Sequence, residues 1–338
     1  MNLPIEPPFP PMEALSVDRL PDGEDWQYEP KWDGFRCLAF RDGTDVYLQS
    51  KAEKPLARYF PDIAAVLGGL AARKFVLDGE LVIPVDGILS FDALQLRLHP
   101  AESRVRMLAE RHPARFVVFD LLVDGGRSLL DRPLMRRRAA LEAFAGKYRV
   151  PNLILSPATS QLDVAAEWLR SAPAGLDGVV AKRLDEPYQS GVRSMRKIKR
   201  LRTADCVVGG FRYAARGRAL GSLLLGLFDD DGLLHHVGFT SSFASSQRRE
   251  LLQRVEPLRG GPGFTGRAPG GPSRWTGGKE SPYEPLRHEL VVEVSYDHFS
   301  GGRFRHGTQL LRWRSDKDPR QCTMQQLARP GGPPPGLF

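Results

Sequence analysis

A chain of 338 residues is long enough for about two domains, and 41% hydrophobic residues can fill their cores. Its net charge of +8, carried mostly by arginine, favours a polyanionic partner or an acidic protein surface. Three scattered cysteines (Cys37, Cys206, Cys322) make neither a disulfide framework nor a zinc site, the proline-rich start from Met1 to Pro11 lacks the apolar core of a signal peptide, and no apolar run reaches membrane-spanning length, so a soluble protein of a reducing cytoplasm is expected.

Residues 1–25 read as an extended, proline-stiffened lead-in. A strand then ends near Lys31, a turn with Gly34 follows, and Cys37 to Phe40 is a second strand closed by Arg41-Asp42-Gly43. Asp45 to Gln49 is a third. Apolar residues at helical spacing (Ile63, Val66, Leu67, Leu70) predict a helix over Tyr59 to Ala72. Phe75-Val76-Leu77 and Leu81-Val82-Ile83 read as strand halves around Gly79, followed by helices over Phe91 to Leu98 and Ala101 to Glu110. Arg115 to Val123 is an apolar strand. Pro133 opens a helix to Ala145, and Val164 to Arg170 is another. Leu176 to Arg183 is a turn and buried strand ending in two cations, and a strongly basic stretch, Arg193 to Arg202, precedes a domain boundary near Thr203.

Beyond Ala204 the texture changes to short strands punctuated by glycine: Cys206–Tyr213, Ser222–Phe228, Leu233–Phe239 and Leu290–Tyr296, with one helix from Ser245 to Val255. Residues 259–285 read as a long exposed Gly/Pro loop, and residues 329–338 as a disordered Pro/Gly tail. Several short strands with one helix in about 120 residues suit a small barrel of the OB type, a frequent nucleic-acid platform.

The stretch that organises the chain is Glu29-Pro30-Lys31-Trp32-Asp33-Gly34-Phe35-Arg36. It places one lysine at a strand end beside a tight turn, with carboxylates on either side and aromatic neighbours. A lysine amine becomes nucleophilic only when it loses its proton, which burial and neighbouring cations promote. A surface lysine in a hairpin is the bland explanation of Lys-x-Asp-Gly alone. The longer string Glu-x-Lys-x-Asp-Gly-x-Arg resembles the nucleotidyl-lysine motif of the covalent nucleotidyltransferases, which include ATP-dependent DNA ligases, RNA ligases and mRNA capping enzymes.

The resemblance continues in order along the chain. Glu80, in Leu-Asp-Gly-Glu-Leu-Val, matches the glutamate that reaches the ribose, and it is also a candidate metal ligand. Phe119 matches the aromatic that stacks on adenine. Asp177, in Asp-Gly-Val-Val-Ala-Lys, stands where the family has a metal-binding glutamate one methylene longer. Lys197 and Lys199 form a Lys-x-Lys pair which strand alternation puts on one face, where they would neutralise the α-phosphate and lower the pKa of Lys31. Arg193 matches a nucleotide-contacting arginine, and Arg196 replaces a frequent tryptophan. Lys51 replaces an arginine on the 5′-phosphate side and loses its bidentate fork, while Arg36 matches unchanged. Arg314, Asp316 and Lys317 match the Arg-x-Asp-Lys motif of the second domain, which in relatives orients the β,γ-pyrophosphate; upstream, Gly307 replaces a proline.

Together the motifs resemble the small two-domain bacterial ATP-dependent DNA ligases of the C type and the ligase module of the D type. The resemblance implies an α+β fold: an ATP-grasp-like nucleotidyltransferase domain (1–203) with antiparallel sheets and packed helices, then an OB-fold β-barrel domain (204–328). It implies Lys31 as the catalytic nucleophile; Glu29, Arg36, Lys51, Glu80, Phe119, Arg193, Lys197, Lys199, Arg314, Asp316 and Lys317 as ATP-binding residues; and Asp177 and Glu80 as ligands of Mg²⁺ or Mn²⁺. Nicked double-stranded DNA is the implied partner of a single-chain enzyme, with a repair polymerase or end-binding protein as a further one, and no membrane. A GTP-using capping enzyme or an RNA ligase is the neighbouring alternative; Glu29, which in DNA ligase relatives reads the base amino group, favours adenine. A non-catalytic OB-fold binder is opposed by Asp33, Glu80 and Asp177, which would repel DNA phosphates without a metal between.

Overall fold

The computed structural model describes residues 1–171, 176–214, 219–270 and 282–327. The expected tail at 329–338, and the part of the 259–285 loop from 271 to 281, lie outside the described residues. The chain divides into two compact units, one running to Arg200 and one beginning at Leu201. Among the described residues no helix is long and apolar enough to cross a membrane.

The first unit carries two sheets. Its strands and helices are β1 (Ala14–Ser16), β2 (Trp26–Trp32), β3 (Phe35–Asp42), β4 (Asp45–Ser50), α1 (Pro61–Gly69), β5 (Lys74–Val82), a small hairpin of β6 (Pro84–Val85) and β7 (Ile88–Leu89), α2 (Phe91–Arg97), α3 (Glu102–Arg111), β8 (Arg115–Asp124), β9 (Arg127–Ser128), α4 (Leu134–Lys147), β10 (Leu153–Leu155), α5 (Leu162–Ser171), β11 (Leu176–Arg183) and β12 (Met195–Lys199). One sheet has the order β1-β12-β11-β2 and the other β10-β8-β5-β3-β4. Pairing is antiparallel except at two edges, where β1 joins β12 and β10 joins β8 in parallel. The chain passes from one sheet to the other through the two residues Asp33 and Gly34, so Lys31 belongs to one sheet and Arg36 to its neighbour.

Local chemistry explains the supporting elements. Pro61 starts α1, where its missing N–H costs nothing. Ser90 caps α2 by accepting from the Ala93 N–H at 3.2 Å, and Asp92 and Arg97 lie at the dipole ends that suit them. The strand halves expected around Gly79 are one continuous strand, β5, buried on both faces. Helices α1 and α4 cover the larger sheet through Phe60, Ile63, Leu67, Leu141 and Phe144. Asp120 of β8 and Arg137 of α4 form a bidentate pair at 2.9 and 3.0 Å, each about 1% exposed, which fixes α4 on the strand that carries Phe119.

The lead-in is more than a proline-stiffened approach. Leu3, Ile5 and Met12 are buried with Leu38, Phe40 and Tyr188, and residues 14–16 form β1 on the edge of the first sheet. Prolines hide this from any periodicity argument, because the burial is irregular.

The second unit comprises β13 (Arg202–Tyr213), β14 (Leu220–Phe228), β15 (Leu234–Thr240), α6 (Arg248–Val255), β16 (Glu284–Pro285), β17 (Val291–Tyr296), the hairpin β18 (Phe299–Ser300) and β19 (Arg303–Phe304), and β20 (Gln309–Trp313). Its main sheet has the order β15-β14-β13-β17-β20, all antiparallel, with β16 on β13. Thr240, ending β15, bridges to Thr308, just before β20, and its hydroxyl donates to the Thr308 carbonyl at 2.9 Å. The two edge strands of the sheet are thereby joined. Phe211, Leu223, Leu225, Val237 and Val292 fill the interior, with Leu252 and Val255 of α6 against them. The segment after α6 is not simply exposed: Phe264 is buried in the same core.

Candidate active site

A cavity of about 250 Å³ lies in the first unit, lined from one sheet by Glu29, Lys31, Val180, Lys182 and Lys197 and from the other by Arg36, Glu80 and Phe119. Register explains the first wall. Lys31 of β2 stands opposite Gly178 of β11, and Glu29 stands opposite Val180, which in turn faces Lys197 of β12. Gly178 has φ +149°, and a Cβ there would lie 1.9 Å from the Ile198 carbonyl oxygen. The glycine beside the metal-site candidate Asp177 is therefore required by close packing against β12. Gly34 has the same origin: a Cβ would meet the Leu81 carbonyl oxygen at 2.2 Å and Glu80 Cγ at 2.8 Å. The turn after Lys31 must press against the strand that carries Glu80, and only glycine allows it.

Lys31 Nζ donates to Asp177 Oδ2 at 2.8 Å. Burial pushes the Lys31 ammonium toward neutrality, but Asp177, backed by Glu80 and Asp33, outweighs it and the pKa is raised. The expectation that Lys197 and Lys199 lower the Lys31 pKa is therefore reversed in this state, because the nearest charges are carboxylates. The depression falls on Lys197, whose ammonium is lowered by burial and by Lys31, Lys51, Lys199 and Arg193.

Glu80 is pushed up to about 8, chiefly by burial, against the pull of Arg36 and Lys31 and with the push of Asp33 and Asp78. At neutral pH it is largely a neutral acid, suited to hydrogen-bonding hydroxyls. Asp33 and Asp177 bring carboxylate oxygens within 4.8 Å of each other, and this pair has the spacing and hard oxygen donors that a small divalent cation takes.

Arg36 is gripped by Asp78, with Nε and Nη2 at 2.5 and 2.6 Å from its two oxygens. Burial opposes this charge, and Asp78 more than restores it, so Arg36 is held firmly cationic. Tyr188 donates to Asp78 at 2.7 Å and accepts from the Met12 N–H at 2.9 Å, tying the lead-in to the cluster. Two cations approach the Phe119 ring, Arg36 at 4.6 Å and Lys182 at 4.5 Å from its centroid. Lys182 Nζ also donates to Glu29 Oε2 at 2.8 Å, while Gln27 donates to Glu29 Oε1 at 2.7 Å. Glu29 thus meets its neighbours with both oxygens, and further lone pairs remain for an amino donor.

Of the expected ATP-binding residues, Glu29, Arg36, Lys51, Glu80, Phe119 and Lys197 line the cavity with Lys31. Lys199 is exposed and does not line it, although it shares the strand face of Lys197. Arg193 and Lys51 both pair with Glu13, each at 3.3 Å. Arg314, Asp316 and Lys317 belong to the second unit, where they form a cluster of their own around Asp205. Sequence reasoning missed Lys182, Asp78, Tyr188 and Glu13. Two of these had a usable signal: Asp78 shares the strand face of Glu80, and Lys182 shares that of Val180.

A family model described as "ATP dependent DNA ligase domain" matches residues 12–199, and one described as "ATP dependent DNA ligase C terminal region" matches residues 216–317. The chain belongs to the ATP-dependent DNA ligases. It is 48% identical to DNA ligase C2 of Mycolicibacterium smegmatis over 98% of this chain and 97% of that protein. To DNA ligase C of Mycobacterium tuberculosis it is 47% identical, over 98% and 96%. Among solved structures, a mycobacterial DNA ligase D complexed with ATP and MES aligns at TM-score 0.50 and 29% identity, covering 93% of this ligase and 98% of that chain. The mixed α/β architecture with antiparallel sheets is that of ATP-dependent ligases, and the ligase uses ATP to join nicked DNA.

Proposed function

We propose that the ligase works through a lysine–AMP intermediate formed at Lys31, with residues 1–203 acting as the adenylation domain and 204–328 as an OB-fold domain. The observation that carries this reading is the placement of the half-buried Lys31 amine, held by Asp177, in a cavity that also holds Glu80, Phe119, Arg36 and Lys197. The joined edges of the second sheet support the barrel.

In the resting protein Lys31 is an ammonium held by Asp177, and an ammonium cannot attack phosphorus. When bound, Mg²⁺ (or Mn²⁺) supplies positive charge on the α-phosphate, with Asp177 and Asp33 as the residues that would hold it. Glu80, assigned from the motif order as a second ligand, is better suited in its neutral form to the ribose hydroxyls. Once Asp177 turns from Lys31, the amine keeps its burial and its cationic neighbour Lys197 but loses its counter-ion. Both influences then favour the neutral nucleophile. Lys31 Nζ forms its bond to the α-phosphorus as the bond to the β-phosphate oxygen breaks, and pyrophosphate leaves. A 5′-phosphate oxygen at the nick next takes the AMP, the nitrogen–phosphorus bond breaking as Lys31 departs protonated. The 3′-hydroxyl then attacks the 5′-phosphate, closing the backbone and releasing AMP. Phe119 stacks the adenine, Glu29 reads its amino group, and Lys51, Arg193, Lys197 and Lys199 hold phosphates. Arg314, Asp316 and Lys317 serve the pyrophosphate in the first step. The ligase acts as a single-chain cytoplasmic repair enzyme, recruited by a polymerase or end-binding protein.

Incubation with α-labelled ATP and Mg²⁺, followed by denaturation, tests the intermediate. Label should stay on the parent chain and be absent from a folded Lys31→Ala variant. Label retained by that variant at another lysine removes the assignment.

A further inference from the structure

The cations Arg314 and Lys317 follow β20 on a turn, three residues apart, and their charges repel. One carboxylate from a different part of the unit overcomes this. Asp205 accepts from Arg314 Nη1 at 2.9 Å on each oxygen, and its Oδ2 also accepts from Lys317 Nζ at 2.7 Å. Asp316 accepts from Arg314 Nε and Nη2, both at 2.9 Å. Asp316, however, sits on the same turn and is 65% exposed, so it moves with Arg314 and cannot fix the turn. Asp205 can. It lies within β13, paired through Glu293 to β17, and the Gln326 side chain brackets its main chain, accepting from the Asp205 N–H at 2.9 Å and donating to its carbonyl at 3.0 Å.

We infer that Asp205 is a positioning residue for lysine adenylation: it sets the spacing and direction of Arg314 and Lys317 for the β,γ-phosphates of ATP. The inference rests on the proposed pyrophosphate role of those two cations. Lys317 spends only one of its three donors on Asp205, and it is 23% exposed, so donors remain for a phosphate. A shared carboxylate oxygen brings the guanidinium and the ammonium close enough to meet adjacent phosphate groups. Without it, mutual repulsion and side-chain entropy would spread the two charges over many rotamers.

Asp205→Asn tests this, because it keeps the shape and removes the charge that gathers the cations. Three reactions are compared in the full chain: adenylation from ATP, its reversal by inorganic pyrophosphate, and sealing of a nick already carrying AMP. A displaced charge in a site of this kind costs up to about 100-fold. We expect adenylation at saturating ATP to fall about 10- to 100-fold, and the pyrophosphate needed for half-maximal reversal to rise, while sealing of the pre-adenylated nick stays within about twofold. Adding Asp205→Asn to Lys317→Ala should cost little more than Lys317→Ala alone. Adenylation within about twofold of the parent, or an equal fall in sealing, overturns the positioning role. If Lys317→Ala itself leaves adenylation and pyrophosphate reversal intact, the underlying reading of the two cations fails instead. A loss of fold in Asp205→Asn, seen by melting, would also overturn the inference, since Asp205 would then be a stability residue.

Discussion

Replacing Lys182 by methionine tests how the cavity wall is held together. The Lys182–Glu29 pair has side chains only 4% and 3% exposed. Methionine retains the apolar stem and removes the charge, leaving the Glu29 carboxylate buried with the Gln27 amide. Breaking a buried pair by deleting one partner costs about 3–5 kcal/mol. At about 2–4 °C per kcal/mol for a domain of this size, melting should drop by about 6–20 °C. The double variant Lys182→Met with Glu29→Gln should recover most of that loss, since the unpaired charge has gone and a buried pair is worth little against neutral isosteres. Thermal unfolding followed by circular dichroism gives the cycle. A single variant as stable as the parent, or a double variant no better than the single, would refute the argument that burial makes this pair interdependent.

Glu80 gives a pH signature. Its folded pKa of about 8 lies above the ordinary 4.5, so the folded state holds the proton more tightly than the unfolded chain. The associated stability is fully present below about pH 4.5 and is lost as pH rises through about 8. Glu80→Gln should flatten that part of the melting-temperature profile, and an unchanged slope would contradict the buried neutral acid. Tyr188→Phe leaves the Met12 N–H without its acceptor and should cost about 1–3 kcal/mol, read by denaturant unfolding; it should also raise the ATP concentration for half-maximal adenylation more than it lowers the maximal rate. Gly34→Ala forces the turn off the Leu81 carbonyl, and if Lys31 is the nucleophile as proposed, a shift near 1 Å beside it should slow adenylation about 100-fold. A Gly34→Ala enzyme labelled by ATP at the parent rate would show that this close approach is dispensable.

The parts legible in the sequence are those whose signal is local. Lys31, Glu80, Phe119 and Lys197 each sit on or beside a strand with a recognisable neighbour pattern, and their order along the chain carried the family resemblance. Helices α1 and α4 were likewise visible, α1 from apolar residues at helical spacing and α4 from Pro133 at its start, with ends shifted by a few residues. What could not be read was register. That Lys31 would face Gly178, bringing Asp177 onto its ammonium, follows from pairing of strands about 150 residues apart, and this reversed the expected direction of its pKa. Asp78 looked like part of a Gly turn until the pairing of Arg36 with Glu80 placed it under the guanidinium. Asp205 is distant in sequence from the motif it holds, and nothing about an aspartate before an apolar strand announces a partner there. The lead-in reads only as an extended approach because its prolines break any period, while its strand β1 depends wholly on β12.

That last dependence bears on how the protein is made. The edge strand β1 (Ala14–Ser16) leaves the ribosome about 180 residues before its partner β12 (Met195–Lys199). Met12 and Glu13, which wall the cavity beside β1, therefore wait exposed until almost the whole unit has been synthesised. Pairing across so long a separation is slow and comes late in folding. The cavity of the first unit is thus closed by an early strand of that unit pairing with its last one. A ligand that binds this cavity only in the folded state should hold that closure in place.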